Sequence, residues 1–151
     1  MDNDTMRISK NFSTEELCHS DTAERYGIPN QITTFEQREA LFSLVRKVLQ
    51  PLRDLWGKPI RISGGFRCPA LNERIGETEP NQYMLGEAVD IDTEGMEATY
   101  EMARLIHNTP ELWAEIDQLI VNATNLTLSH RRVGKQRQQL LYNKTYKGKR
   151  L

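Results

Sequence analysis

The sequence predicts an α+β fold, with helices packed on a small, mostly antiparallel sheet. Three observations carry that expectation. Apolar residues recur at helical spacing between Leu41 and Trp56, strand alternation first becomes clear at Ala88–Asp92, and three short apolar runs crowd the stretch after Asp117. At 151 residues, 38% of them hydrophobic and 27% charged, the chain is long enough to bury a core and is expected to form one domain over residues 1–151.

Ser13 followed by Glu16 reads as a capping box that opens a short helix, and a second short helix begins near Ser20 or Asp21 and stops at Gly27. Thr34 with Gln37 caps a long helix whose apolar positions are Leu41, Leu44, Val45, Val48, Leu49, Leu52, Leu55 and Trp56. Pro51 lies inside that pattern and predicts a kink or a divided last turn, and Gly57 ends the helix. Ile60–Ile62 reads as a short strand. Pro69 and Gly76 bracket a short helix as its first-turn proline and its terminal glycine. In Ala88–Asp92, Val89 and Ile91 share one face while Asp90 and Asp92 share the other. A helix over residues 96–108 follows, and then DQLIV, NLTLS and QQLLY read as three strands.

Asp117 is the last acidic residue, and eight basic residues follow it, so the formal net charge of −1 conceals an acidic body and a basic end over residues 131–151. A solvated basic strand and tail is the expectation, with an anionic partner as the alternative; no interleaved aromatic pattern supports a nucleic-acid platform. Two cysteines, Cys18 and Cys68, make no disulfide framework and are expected to be free thiols. MDNDTMRISKNFS lacks the apolar core and cleavage site of a signal peptide, and no run is long enough to span a membrane. A cytoplasmic start is therefore expected, with access to a cell wall by a phage-type or other route left open.

The segments SGGFRCPALNERIG, NQYMLGEAVDID and DQLIVNATNLTLS, together with FSTEELCHSDTAERYGIPN near the start, resemble the zinc D-Ala-D-Ala carboxypeptidases of peptidoglycan (metallopeptidase family fifteen, subfamily A). That resemblance implies a Hedgehog/DD-peptidase fold. It also implies a zinc held by a histidine, an aspartate and a second histidine, with an acidic general base and an open position for water. Gln82, Gly86, Ala88, Asp90, Ile91 and Ser129 match the family's pattern. The ligands do not. Asp90 alone survives; Tyr83 and Thr127 stand where the histidines belong, Thr124 takes the general-base position and Asn125 that of a tryptophan. One carboxylate with a phenol and an alcohol is a poor donor set for zinc, so no cofactor and no catalytic residue is expected.

His130, three residues beyond Thr127, falls on the opposite strand face, and His19 and His107 lack ligand spacing to Asp90. Cys68 is the one soft donor near the substrate loop, and Asp90 with Asp92 falls short of a calcium cage. The resemblance places substrate binding at Arg67, Asn72, Gln82, Tyr83, Asp90 and Thr127. Arg67 has two readings, a fork for a peptide carboxylate or an ion pair with Asp90, and Tyr83 and Thr127 are expected to donate hydrogen bonds to Asp90. The expected function is a catalytically inactive peptidase-like domain that binds a cell-wall peptide or a protein partner. The alternatives are an active peptidase with an unorthodox metal site and a phage or prophage structural protein.

Overall fold

The computed structural model describes residues 6–77 and 81–151. The leader reading rests in part on residues 1–5, which lie outside that range. Each helix start expected from capping is found. The Ser13 hydroxyl accepts from the Glu16 N–H (3.4 Å) ahead of α1 (Thr14–Cys18), and Ser20 accepts from Ala23 (3.1 Å) ahead of α2 (Asp21–Arg25). Thr34 and Gln37 form a reciprocal capping box at α3 (Phe35–Leu44). These hydroxyls and the Gln37 amide satisfy backbone groups that the first helical turn leaves without partners.

The long helix departs from expectation at its middle. A π-helical segment, Val45–Leu49, intervenes before α4 (Gln50–Trp56), and the Gln50 N–H reaches back five residues to Val45 O. Pro51 therefore sits in the first turn of α4, where its missing N–H does least harm. The wider π turn offsets the usual ladder just where the proline ring would press on the preceding turn. Gly57, at φ 76°, closes α4.

The first strand is shifted from the expected Ile60–Ile62: β1 spans Arg61–Gly64. Next come α5 (Pro69–Ile75), β2 (Ala88–Asp92), α6 (Met96–His107) and a short α7 (Pro110–Trp113) that periodicity did not reveal. The chain ends in β3 (Gln118–Val121), β4 (Asn125–Ser129) and β5 (Gln139–Tyr142). The sheet order is β1-β2-β4-β3-β5, antiparallel throughout except that β5 runs parallel to β3.

One sheet face is core. Val89, Ile91, Leu119, Val121, Leu126 and Leu128 are all fully buried, and α6 lies against β3 and β4. Burying each such side chain contributes about 1.5–3 kcal/mol. The other face carries a row in register, with Gly64 opposite Asp90, Asp90 opposite Thr127, and Thr127 opposite Ile120, so that Asp90 and Thr127 are its polar pair. That row positions the site. Gly86 fixes the loop leading to it, because at φ 79° it is left-handed and a Cβ there would lie 2.7 Å from Gln37 O.

The basic end is not simply solvated, as the sequence suggested. Arg131 and Arg137 turn inward onto Asp117. Tyr146 packs edge-on to Tyr100 at 5.6 Å, and the Arg150 guanidinium covers the Tyr142 ring at 4.9 Å. Aromatic side chains on α6 and β5 thus give the tail an apolar surface to fold back on. No helix among the described residues is long and apolar enough to cross a membrane.

Candidate functional site

The centre of the polar face is the Asp90 carboxylate. Strand alternation turns it away from the core, and the antiparallel register sets Thr127 directly across from it. Its Oδ1 accepts two short hydrogen bonds, from the Tyr83 hydroxyl at 2.6 Å and from the Thr127 hydroxyl at 2.7 Å. Asn122 fixes the sense of the second bond. Its Nδ2 donates to Thr127 Oγ1 at 3.2 Å, so the threonine proton is left for Asp90. Asn122 is in turn held by Asn125 and Asn143, both at 2.7 Å. Burial, and then the charge and hydrogen bond of Asp90, push the Tyr83 hydroxyl well above its usual range, so it stays a neutral donor.

Arg67 occupies the face of Tyr83. Its guanidinium lies 3.9 Å from the ring centroid, and its backbone N–H donates to Tyr83 O at 3.2 Å. The expected alternative of an ion pair with Asp90 is not what the structure contains. The carboxylate near Arg67 is that of Glu77, at 3.8 Å, and the buried Nη1 makes no hydrogen bond among the described residues. Glu77 was not anticipated, and neither was Asn122, although they lie only ten positions from Arg67 and five from Thr127; neither falls in a cap or strand-alternation pattern that would mark it.

The remaining residues assigned by resemblance are placed differently. Asn72 is fully buried and supports a loop: its Oδ1 accepts from Asn81 (2.8 Å) and its amide donates to Glu77 O (3.4 Å). Gln82 turns away from Asp90 and donates to Asp117 (3.1 Å) and Glu87 (3.2 Å). Thr124 sits on the exposed β3–β4 turn, where its carbonyl accepts from Thr93 and Glu94. Asp92 does not join Asp90. Arg61 takes it at 2.6 Å.

The histidines and cysteines lie outside this row. His130 is buried, with Nε2 against Ser43 Oγ (2.9 Å) and Nδ1 donating to Glu115 O (2.7 Å), as befits the opposite strand face. His107 stacks edge-on to Trp113 at 4.8 Å. Cys68 belongs to a small apolar cluster with Ala23, Phe66 and Leu71. Among the described residues, three potential metal ligands come within reach of one another only at His19, Asp21 and Glu24, all exposed.

The Peptidase M15 family profile matches residues 10–116. The chain belongs to the Peptidase M15 family. Membership brings the Hedgehog/DD-peptidase fold, and the α+β architecture described above agrees with it. The matched region contains Arg67, Tyr83 and Asp90 but ends before Thr127, which β4 delivers. No curated protein matches the chain. A cleft of about 650 Å³ in this M15 chain lies elsewhere, between the α1–α2 region and α3, with Met6, Cys18, Ile32, Arg38 and Phe42 among its walls. Burial pushes the Cys18 thiol there up to about 12, so it is no ready nucleophile.

Proposed function

We propose that this M15 chain has exchanged zinc hydrolysis for binding, with Arg67 receiving a carboxylate from a cell-wall peptide or a protein partner. The observation that carries this reading is the pair of hydroxyl protons directed at Asp90 Oδ1. A catalytic zinc takes imidazole, thiolate or carboxylate donors and keeps one position open. A neutral phenol that spends its proton on the carboxylate does not fit that donor set, and an alcohol offers a weaker ligand still. Asp90 supplies one acceptable ligand, and none of the three histidines lies beside it. No hydrolytic step is therefore routed through a metal here.

The unbonded Nη1 of Arg67 supports the binding half of the reading. Held against the Tyr83 ring, with Glu77 only at 3.8 Å, the guanidinium keeps a donor available for a planar anion. Metal analysis of tag-free protein tests the first half: substoichiometric zinc and no chelator-sensitive cleavage of a D-Ala-containing peptide are expected. Stoichiometric zinc with chelator-sensitive cleavage would overturn it. The combined Tyr83→His, Thr127→His and Thr124→Asp variant is expected to take up one zinc, because the strand register already places positions 90 and 127 face to face.

A further inference from the structure

Of the eight basic residues that follow Asp117, Arg131 and Arg137 direct their charge to it. The last four, Lys144, Lys147, Lys149 and Arg150, are exposed and have no carboxylate within ion-pair distance among the described residues. All 21 acidic side chains lie at or before Asp117, together with only 12 of the 20 basic ones. The body of the molecule is therefore acidic, and one short segment carries concentrated positive charge.

That segment is folded rather than trailing. Tyr146 and Lys149 pair across a tight turn, and the Lys149 N–H donates to Tyr146 O at 3.0 Å. Lys147 and Gly148, at φ 54° and 70°, take the two left-handed positions that such a turn requires. Tyr100 on α6 holds both sides of it: its hydroxyl accepts from the Tyr146 N–H at 2.8 Å and donates to Lys149 O. The Tyr142 hydroxyl accepts from the Leu151 N–H at 2.7 Å. Lys147 stands 5.1 Å from the Tyr146 ring centroid, and Arg150 stands 4.9 Å from that of Tyr142. A backbone ordered in advance lowers the entropy cost of presenting these cations to a partner.

We infer that this turn is a docking surface for a linear polyol phosphate, a flexible polyanion with one phosphate per repeat, whose phosphates pair with Lys144, Lys147, Lys149 and Arg150. Two observations select that chemistry among polyanions. Tyr142 and Tyr146 are half-buried, set edge-on to Tyr100 and covered by Arg150 and Lys147, so neither ring is open for a base to stack on. The acidic body opposes a broad or rigid negative surface such as a bilayer or a duplex, whereas a narrow chain can keep to the basic turn. The inference stands independently of the binding reading above.

Calorimetric titration of the full chain with poly(glycerol phosphate) at several salt concentrations tests this. Each phosphate contact with a single-stranded polymer contributes about −0.7 to the slope of log K against log salt, so four contacts predict a slope of about −3. Combining Lys147→Gln with Lys149→Gln is expected to weaken binding at least about tenfold at low salt and to flatten the slope by about 1.4. Tyr100→Phe keeps every charge but loosens the turn, so weaker binding with an unchanged slope is expected. Lys58→Gln removes an exposed cation from the acidic body and should change nothing. Absence of binding at low salt would overturn the inference, as would wild-type affinity in the double lysine variant or an equal loss from Lys58→Gln. Wild-type affinity in Tyr100→Phe would overturn the part assigned to the ordered turn. Tighter binding to duplex DNA or to phosphatidylglycerol vesicles would overturn the polyol phosphate as the partner.

Discussion

Asp90 and Asp117 are served by consecutive residues of one loop, Tyr83 and Gln82, and the chain treats them in opposite ways. Asp117 has no exposed surface and is gripped from several sides. Arg137 donates from Nε, from Nη2 (2.7 Å) and from its backbone N–H (2.8 Å), Arg131 approaches at 3.3 Å, and Gln82 adds an amide at 3.1 Å. Burial alone would raise its carboxyl, but the hydrogen bonds and charge of Arg137, helped by Gln82, hold it below the usual carboxylate range. Asp90 receives two neutral hydroxyls on one oxygen and, among the described residues, no ion-pair partner. Neighbouring residues serve the two sites: Gln82 reaches Asp117 and Tyr83 reaches Asp90. Where a carboxylate is structural, this chain supplies the countercharge itself. Asp90 is left without one among the described residues.

The contrast is tested most strongly at Asp117. Replacing it with alanine removes the partner of Arg137 and Gln82 and is expected to lower stability by about 1.5–3 kcal/mol in urea unfolding, the range for hydrogen bonds to a charged group, since the arginines left behind are partly solvated. A loss below about 1 kcal/mol would remove the distinction drawn here. The pH dependence has a definite sign. Because the folded carboxyl is held below its unfolded value of about 3.9, its contribution is complete above that pH and is lost as pH falls through the folded value. The wild-type chain should therefore lose stability more steeply than the Asp117→Ala variant below about pH 4, measured by urea midpoints across the acid range.

A smaller effect is expected at Tyr83. Tyr83→Phe removes a 2.6 Å bond to a carboxylate but keeps the ring on which Arg67 lies. Hydrogen bonds to charged groups contribute about 1.5–3 kcal/mol, and Thr127 still serves the same oxygen, so a loss near the lower bound is expected. An unchanged urea midpoint would show that the phenol proton does not hold Asp90 in place.

These expectations differ in how far the sequence alone could have reached them. Ser13, Ser20 and Thr34 announced their helices because a cap is local chemistry within four residues. Tyr83, Asp90 and Thr127 were legible as a group because family spacing and strand alternation together place them on one face. The π segment was not legible: Leu41, Leu44, Val45, Val48, Leu49 and Leu52 are all buried, so an unbroken α-helix and one with a π turn show the same apolar pattern. Nor was the Asp117 clamp. Its arginines lie 14 and 20 positions downstream and reach it only because the chain loops back from β4 to lay β5 parallel to β3, a pairing no local pattern announces. Charge counting registered those arginines as a basic end and missed that two of them face inward.

The smallest expected change is the most discriminating. Asp90→Asn keeps an oxygen for Tyr83 and Thr127 and replaces the free Oδ2 above Gly64 with an amide, so the hydrogen-bond count within the site is preserved. A shift of less than about 1 kcal/mol is expected, because the net contribution of an exchanged hydrogen bond is of that order. The isosteric change at Asp117 removes charge from a carboxylate that two arginines approach and should be far more damaging, so the pair of asparagine variants isolates charge from shape. If Asp90→Asn proves as harmful as its counterpart, Asp90 is a structural anion like Asp117 and the contrast between them falls. If it leaves the protein unchanged or makes it more stable, the negative charge at position 90 contributes nothing to folding, in contrast to the charge at position 117.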